Sequence, residues 1–310
     1  MAISKDHSSM NHSMVTGTIV KGVGGFYEVW VDQIHEMFTC KAKGSFRREG
    51  ITPLAGDKVR IESKREVPGQ GFIEEILPRT NVFVRPPVAN MDQMVIIMSA
   101  GSPVPDVRLI AKLLLACELR EINPILVINK IDESSKDAYM EIGTPYILGH
   151  YDLHYISCDT GEGIEELGGM LDGKITALAG QSGVGKSTLL NKLMKDVRMP
   201  TGILSEKIGR GKHTTRHSEL MKLPVSGWIC DTAGFSQYEL DAIDHEQLEL
   251  YFPEFYPERE HCRFPGCSHL NEPDCALQSK LENGGIHPIR FELYRSFYHE
   301  LKDRYDNRYK

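Results

Sequence analysis

The segment GQSGVGKS, residues 180–187, constrains the fold more than any other feature of this sequence. It matches the pattern G-x-x-x-x-G-K-[ST], follows the apolar run ITALA and leads into KSTLLNKLM, which has helical periodicity. A glycine-rich turn between a buried strand and a helix directs backbone N–H groups at phosphate oxygens, beside the positive helix N-terminus. A chance glycine turn would lack this combination. The sequence therefore predicts a phosphate loop.

The side chains of this loop suggest separate tasks. Lys186 is predicted to reach the outer phosphates, and the Ser187 hydroxyl to ligate Mg²⁺. The predicted phosphate-binding residues are Gly180, Gln181, Ser182, Gly183, Val184, Gly185, Lys186, Ser187 and Thr188.

The choice between ATP and GTP depends on NKID, residues 129–132, which follows the apolar run PILVI. An Asp at this place accepts two hydrogen bonds from guanine, and adenine offers neither donor, so such a site discriminates by roughly 10⁴-fold or more. Four residues are predicted to bind the base or shape its loop: Asn129, Lys130, Ile131 and Asp132. The Lys130 stem would pack along the base, and Asn129 would tie this loop to the phosphate loop.

A further guanine loop is suggested by SCDTG, residues 157–161, which resembles the usual SAxTG. Cys158 replaces the usual Ala and follows Ser157, and the loop could still use its backbone N–H. An ordinary strand-end turn is the alternative for either short motif taken alone.

Besides Lys186, which is also predicted to be catalytic, the catalytic elements are expected between residues 209 and 235. DTAG would hold Mg²⁺ through water at Asp231 and sense the γ-phosphate with the Gly234 N–H. Within GRGKHTTRH, Thr215 is favoured as the second Mg²⁺ ligand, with Thr214 as the alternate. Phe235 stands where related enzymes place a water-orienting Gln. His213 is the candidate substitute, and a solvent-facing loop histidine is the alternative.

The order of these motifs is permuted. A standard GTPase runs from phosphate loop to DxxG and then to NKxD, whereas NKID and SCDTG come first here. Alternating strand and helix patterns predict a parallel α/β sheet, in which each motif lies at a strand end. Rejoining the chain at surface loops would preserve that arrangement. The fold class is thus an α/β phosphate-loop GTPase domain in circularly permuted order.

Two other segments flank this domain. Short β segments broken by Gly and Pro predict a five-stranded barrel of the OB type, although an SH3-like barrel would look similar. The final part reads as a mainly helical, metal-binding segment. The expected division is a disordered tail at 1–14, a barrel at 15–84, the GTPase domain at 85–235 and a C-terminal domain at 236–310.

Cysteine usage points to a metal centre. The chain has seven cysteines, and its polar first residues predict that it is not exported, which argues against a disulfide framework. Three thiols and one imidazole are spaced C-x4-C-x-H-x5-C: Cys262, Cys267, His269 and Cys275. They supply the closed tetrahedral set of one structural zinc ion, with coincidental buried cysteines as the alternative. No apolar run approaches the roughly 18 residues of a membrane span, so a cytoplasmic protein without a membrane partner is expected.

The net charge of −7 does not by itself suggest RNA binding. Basic residues nevertheless cluster in the predicted barrel, so RNA binding remains an option. Such runs are usually only solvated faces. The candidate phosphate contacts in the barrel are Lys41, Lys43, Arg47, Arg48, Lys58, Arg60, Lys64 and Arg65, and those downstream are Arg290, Arg295, Lys302, Arg304 and Arg308.

Taken together, the chain resembles the ribosome small-subunit-dependent GTPase A family, also called RsgA or YjeQ. The likeness covers nearly the whole chain and rests on RPPVANMDQ, NKID, GQSGVGKS, GRGKHTT, DTAGF and CRFPGCSHLNEPDC. It implies a cytoplasmic GTPase that acts in late maturation of the small ribosomal subunit and is stimulated by it. It also implies that the barrel and zinc domains contact ribosomal RNA. Separately, we expect the protein to be a monomer. Two residues depart from the family pattern. Cys158 lies in SCDTG, and Ala233 stands where the family often has Pro.

Two rival functions remain. One is a nucleotide-gated binding protein in signalling or translation with no role in ribosome assembly. The other is an RNA-binding module whose GTPase domain is inactive; Phe235 favours it, and the intact Lys186, Ser187 and Asp231 oppose it.

Overall fold

The structure is a computed structural model that describes residues 14–63, 67–84, 86–195, 218–224, 226–230, 240 and 243–307. The chain divides into two compact units. One unit consists of Met1–Asn90 and Arg216–Met221, and the other of Met91–Thr215 and Lys222–Lys310.

The first unit is built on a closed five-stranded barrel. Its strands are β1 (Met14–Val23), β2 (Phe26–Val31), β3 (Glu36–Ala42), β4 (Lys58–Ser63) and β5 (Gln70–Ile76), with helix α1 (Gly44–Arg48) between β3 and β4. The strand order is β1-β2-β3-β5-β4, and only the β3–β5 pairing is parallel. Closure by β1 against β4 removes both sheet edges. The predicted five-stranded OB-type barrel is confirmed, and β1 begins at the last residue of the expected tail.

Alternating apolar residues fill the barrel. Along β2 and β3, Val29, Val31, Phe38 and Cys40 point inward, while their neighbours in sequence are exposed or half-buried. This period of two is the pattern expected of strands with one buried face.

The chain leaving the barrel is held against it by a buried carboxylate. Asp57, with a fully buried side chain, accepts two hydrogen bonds from the Arg79 guanidinium, at 2.6 and 2.8 Å. Asn90 donates to the Gly56 carbonyl at 3.0 Å. A short hairpin, β6 (Val82–Phe83) with β7 (Val88–Ala89), lies between these two anchors.

The second sheet carries the nucleotide motifs. Its strands are β8 (Gln93–Ser99), β9 (Asn123–Asn129), β10 (Asp152–Tyr155), β11 (Ile175–Ala179), β12 (Leu220–Lys222) and β13 (Trp228–Cys230), in the order β10-β9-β8-β11-β13-β12. The pairings from β10 to β13 are parallel. Strands β8 and β11 are buried throughout, as expected for a parallel sheet covered on both faces. The predicted α/β domain is confirmed.

Helices follow the strands of this sheet. They are α2 (Val107–Glu118), α3 (Lys136–Ile147), α4 (Ile164–Met170) and α5 (Lys186–Lys195), with a 3-10 turn at Ile131–Glu133. Because β8 alone separates β9 from β11, the segments after β9 and β11 emerge near each other at the carboxyl edge of the sheet. That edge is where open parallel sheets bind ligands.

The C-terminal segment belongs to the second unit. It contains 3-10 helices at His245–Tyr251, Pro253–Phe255 and Arg259–His261, followed by α6 (Ala276–Glu282) and α7 (Pro288–Asn307). Its aromatic core, which includes Phe255, Tyr294 and Phe297, is continuous with Ala111 and Leu115 of α2. The C-terminal segment therefore packs directly on a helix of the GTPase domain.

Arg290 corrects one expectation. It is 2% exposed, and its guanidinium donates from Nε and Nη2 to the two carboxylate oxygens of Glu254, at 2.6 and 3.2 Å. A side chain inside the core cannot contact an RNA phosphate, so the candidate role was wrong for this residue. Burial lowers the pKa of Arg290, but the adjacent Glu254 carboxylate outweighs it, and the pKa is raised overall.

No helix in the described ranges is long and apolar enough to cross a membrane.

Candidate nucleotide site and metal centre

The phosphate loop joins β11 to α5, as its sequence predicts. Lys186 begins α5, and its ammonium donates to the carbonyl oxygens of Gly180 and Gln181, at 2.7 and 2.6 Å. Ser187 and Thr188 are exposed at the first turn of the helix. The loop thus presents a lysine and a hydroxyl beside a helix N-terminus, the arrangement that binds phosphate and a divalent cation.

Gly185 is the point where this loop touches the guanine motif. Its φ is +101°, and a Cβ there would lie 2.2 Å from Nδ2 of Asn129. Only glycine fits both the backbone angle and the space.

Asn129 joins three loops. Its buried side chain donates from Nδ2 to the Val184 carbonyl at 2.8 Å, and its Oδ1 accepts from the Cys158 N–H at 3.1 Å. One carboxamide therefore fixes the distance between the phosphate loop, NKID and SCDTG. Sequence reasoning placed Asn129 against the phosphate loop but did not foresee that Asn129 would engage the Cys158 N–H.

The remaining NKID side chains take distinct positions. Lys130 has a left-handed backbone with φ 67° and donates to the Ser102 carbonyl at 2.5 Å. Ile131 is buried, whereas Asp132 is exposed in the 3-10 turn. The Asp132 carboxylate is thus accessible at the carboxyl edge of the sheet.

The SCDTG loop is fixed by its own hydrogen bonds. The Ser157 hydroxyl accepts from the Thr160 N–H at 3.0 Å. Cys158 is 4% exposed, and burial raises the pKa of its thiol. Cys158 therefore substitutes for alanine as a small buried side chain.

Gln181 makes contacts that sequence reasoning missed. Its carboxamide donates to the Val104 carbonyl at 2.9 Å and accepts from the Asp106 N–H at 2.7 Å. Asp106 is also the N-cap of α2, accepting from Arg108 and Leu109 N–H groups. An Asp before an apolar helical run is a recognisable cap signal, but it does not reveal the partner across the fold.

The switch residues lie outside the described residues. They are His213, Thr215 and its alternate Thr214, Asp231, Ala233, Gly234 and Phe235. Strand β13, which ends at Cys230, runs parallel to β11 in the sheet.

The four predicted metal ligands come together. Their ligand atoms all lie within 4.8 Å of one another. Tetrahedral zinc, with bonds of about 2.3 Å to sulfur and about 2.0–2.1 Å to nitrogen, requires S–S edges of about 3.8 Å and S–N edges of about 3.5 Å. Sγ of Cys262 lies 3.9 Å from Sγ of Cys275, and Nδ1 of His269 lies 3.5 and 3.4 Å from these two sulfurs. The donor set fits zinc.

Two acidic residues support this centre, and neither was singled out from sequence. Glu249 lies 2.5 Å from Nε2 of His269, the ring nitrogen facing away from the thiols. Glu272 accepts hydrogen bonds from the N–H groups of Ser268, Leu270 and Asn271. Although burial opposes it, hydrogen bonds from the Ser268 hydroxyl and from backbone N–H groups, among them those of Ser268 and Asn271, lower the pKa of Glu272 to about 2. His261, left out of the predicted ligand set, is exposed and bonded to Glu258.

Comparison with known proteins places these features in one family. The RsgA GTPase family profile matches residues 76–241, and the RsgA N-terminal domain profile matches residues 16–73. The chain is 45% identical to the small ribosomal subunit biogenesis GTPase RsgA of Ruminiclostridium cellulolyticum, over 94% of this chain and 95% of that protein.

Two solved structures have the same architecture. YjeQ from Thermotoga maritima is 34% identical with a TM-score of 0.80, covering 93% of this chain and 99% of that one. YloQ, described as a circularly permuted GTPase, is 32% identical with a TM-score of 0.80, covering 96% of this chain and 98% of that one. With a permuted phosphate-loop sheet, a closed barrel and a Cys3His cluster all in place, the chain belongs to the RsgA GTPase family.

Proposed function

We propose that this protein hydrolyses GTP to GDP and phosphate during late maturation of the small ribosomal subunit, and that the subunit stimulates turnover. The observation that carries the proposal is the position of Asn129, whose side chain holds the phosphate loop and both guanine-type loops together. The relative from R. cellulolyticum is a small ribosomal subunit biogenesis GTPase, which supports the assignment of the partner.

Each loop has a role in this proposal. The exposed Asp132 carboxylate accepts from guanine N1–H and the exocyclic amine, and Lys130 packs its stem along the base. Phosphate oxygens compete for the Lys186 ammonium with the two loop carbonyls that hold it. Backbone N–H groups of the loop residues, together with Lys186, bind the phosphates.

Bound Mg²⁺ would neutralise charge on the outer phosphates as the bond to the leaving oxygen breaks. The Ser187 hydroxyl, which the structure describes, is the first proposed Mg²⁺ ligand. Thr215 is the second proposed ligand. Asp231 would act on the ion through water, and the Gly234 N–H on the γ-phosphate.

Hydrolysis in the free protein is expected to be slow, because Phe235 cannot orient a water molecule. We assign that task to His213. Replacing it with Ala should abolish the subunit-stimulated turnover and leave the affinity for GTP unchanged; unaltered stimulation would exclude the role.

The C-terminal cluster is proposed to hold one structural zinc ion through Cys262, Cys267, His269 and Cys275. Four protein ligands leave no position for water, so the ion organises the fold and takes no part in hydrolysis. We further propose a monomeric, cytoplasmic protein with domains at 15–84, 85–235 and 236–310, following a tail at 1–14.

Ribosomal RNA is the proposed partner of the barrel and the C-terminal segment, but several basic side chains already have acidic partners. Lys43 pairs with Glu74, Arg60 with Glu75 at 2.9 Å, and Arg304 with Glu300 at 2.6 Å. Exchanging such surface pairs for phosphates costs little, since each contributes about 0–1 kcal/mol.

The test is GTP turnover by the full chain, alone, with small subunits and with large subunits. Stimulation by small subunits only is the expected result. Asp132→Asn should lower GTP use by on the order of 10⁴-fold and permit use of XTP, whose base offers an acceptor where guanine has a donor. Stimulated XTP turnover by this variant would show that the loss concerns base recognition.

Other outcomes favour the rival functions. Turnover that no subunit changes would indicate a nucleotide-gated protein with another activator. Absence of turnover under every condition, with nucleotide still bound, would indicate an inactive GTPase domain in an RNA-binding protein.

A further inference from the structure

Gln181 anchors the phosphate loop to a helix that leads away from it. Both polar atoms of its carboxamide are used, one donating to Val104 and one accepting from Asp106. The backbone carbonyl of the same residue accepts from the Lys186 ammonium at 2.6 Å. Any ligand that draws Lys186 onto phosphate oxygens therefore changes the contacts of Gly180 and Gln181.

Asp106 links Gln181 to helix α2. Its carboxylate caps the helix by accepting from the N–H groups of Arg108 and Leu109, at 3.1 and 3.0 Å. Because two N–H groups of the first turn of α2 are bonded to this carboxylate, a shift of Asp106 displaces that turn and with it Arg108.

Arg108 connects that turn to α7. Its guanidinium donates to the Ser296 hydroxyl at 2.7 Å, pairs with the Glu300 carboxylate and lies 4.8 Å from the centre of the Phe297 ring. Three contacts of different kinds fix both the distance and the direction between the helices. Below them, Ala111 and Leu115 of α2 share one apolar core with Phe297.

We propose that Gln181 is a positioning residue that couples occupancy of the phosphate loop to helix α7. The path, which we term the α2 bridge, consists of Gln181, Asp106, Arg108 and Glu300. The chemical signal is a nucleoside di- or triphosphate, whose phosphates compete with Gln181 for Lys186.

This bridge is separate from any motion of the switch segments, because its four residues lie outside residues 209–235. By linkage, a partner that binds α7 alters nucleotide affinity by the same factor by which nucleotide alters that partner's affinity. The inference rests on the proposed nucleotide site but not on the ribosomal partner.

The test is hydrogen exchange of backbone amides in residues 291–301 of the full chain, with and without saturating GDP and Mg²⁺. GDP should change exchange in this segment by about 5-fold or more in the wild type. Gln181→Ala and Arg108→Ala should each abolish that change. Arg108→Lys, which keeps one positive charge but not the fork to Ser296 and Glu300, should retain part of it.

Arg120→Ala is the matched control. Arg120 follows α2 at its other end and donates to the Ala116 carbonyl of the same helix. This variant should retain the GDP-dependent change in full. Exchange of each variant is also measured without nucleotide. A variant that merely loosens α7 raises the exchange rate both with and without GDP, whereas loss of coupling brings the ratio of these two rates to one.

Each result decides between the two proposals. GDP binding without any change in residues 291–301 of the wild type would overturn the bridge and leave the GTPase assignment standing. A change that persists in either Gln181→Ala or Arg108→Ala would also overturn it. Failure of the wild type to bind GDP would instead contradict the proposed function.

Discussion

Glu249 lies 2.5 Å from Nε2 of His269, and Nδ1 of the same ring faces the thiols of Cys262 and Cys275. The carboxylate therefore selects which ring nitrogen is available to a metal ion. It also holds the plane of a side chain that is only 1% exposed. Such carboxylate–histidine pairs orient the ring and increase its basicity as a ligand.

Replacing Glu249 with Gln should weaken zinc binding by about 10- to 100-fold. The amide keeps the size of the side chain but removes the negative charge that favours a metal-bound imidazole. Competition with a chromophoric chelator measures the affinity. Glu246→Gln, an exposed substitution in the same 3-10 helix, is the control and should leave the affinity unchanged. Equal affinities for all three proteins would contradict the role of Glu249.

Zinc removal should expose three thiols out of seven. Cys262, Cys267 and Cys275 would lose the metal ion that they bind, and Cys275, which is itself buried, would become reactive as the site opens. The other four cysteines stay buried in the barrel and the GTPase domain: Cys40, Cys117, Cys158 and Cys230. Burial also raises the pKa of Cys40 to about 12, which suppresses its reactive thiolate.

A disulfide reagent that releases a coloured thiolate counts them directly. The zinc-loaded protein should react slowly at all seven positions, and chelator should unmask a fast phase of three. A fast phase of seven would mean that the whole chain unfolds without the ion. An unchanged fast phase would contradict metal ligation.

Sequence was sufficient for features that depend on local order. The buried strands, the phosphate loop and the metal ligand spacing each occupy a continuous stretch, so period and spacing identify them. Asn129 could be placed against the phosphate loop because its motif has a single geometry in this sheet.

Contacts between distant segments could not be read in the same way. Glu249 and His269, Gln181 and Asp106, and Arg290 and Glu254 meet only through tertiary packing. The prediction for Arg290, an exposed phosphate contact, is the clearest failure. Nothing in the local sequence distinguishes this buried arginine from the basic residues around it. Its environment depends on Glu254 and on the aromatic rings around both.

Breaking the buried pair should therefore be costly. Glu254→Gln removes the carboxylate that is hydrogen-bonded to the buried Arg290 guanidinium, which should lower the free energy of unfolding by about 3–5 kcal/mol. The Glu118 carboxylate would still interact electrostatically with the Arg290 charge. The matched control is Glu292→Gln on α7, whose partner Arg295 lies at the surface; it should cost about 1 kcal/mol or less.

Urea unfolding monitored by tryptophan fluorescence in a Trp30→Phe background tests this prediction. Trp228 is then the one remaining tryptophan, and it reports on the second unit. Similar midpoints for the two variants would show that Arg290 finds another partner when Glu254 is neutralised.

A last prediction concerns the chain that leaves the barrel. Gly56 has φ +89°, and a Cβ there would lie 2.0 Å from the Ala89 carbonyl oxygen. Gly50 also has a positive φ, +70°, but a Cβ there would meet nothing within 4 Å. Both Gly→Ala variants bear the conformational cost of the left-handed region, so their difference isolates the clash.

Gly56→Ala should lower the free energy of unfolding by about 1–3 kcal/mol more than Gly50→Ala does. Trp30 in a Trp228→Phe background reports on the barrel during urea unfolding. Equal losses would mean that residues 78–90 shift to admit the methyl group. In that case the Asn90 hydrogen bond to the Gly56 carbonyl would weaken, and Asn90→Ala would cost less in the Gly56→Ala background than in the wild type.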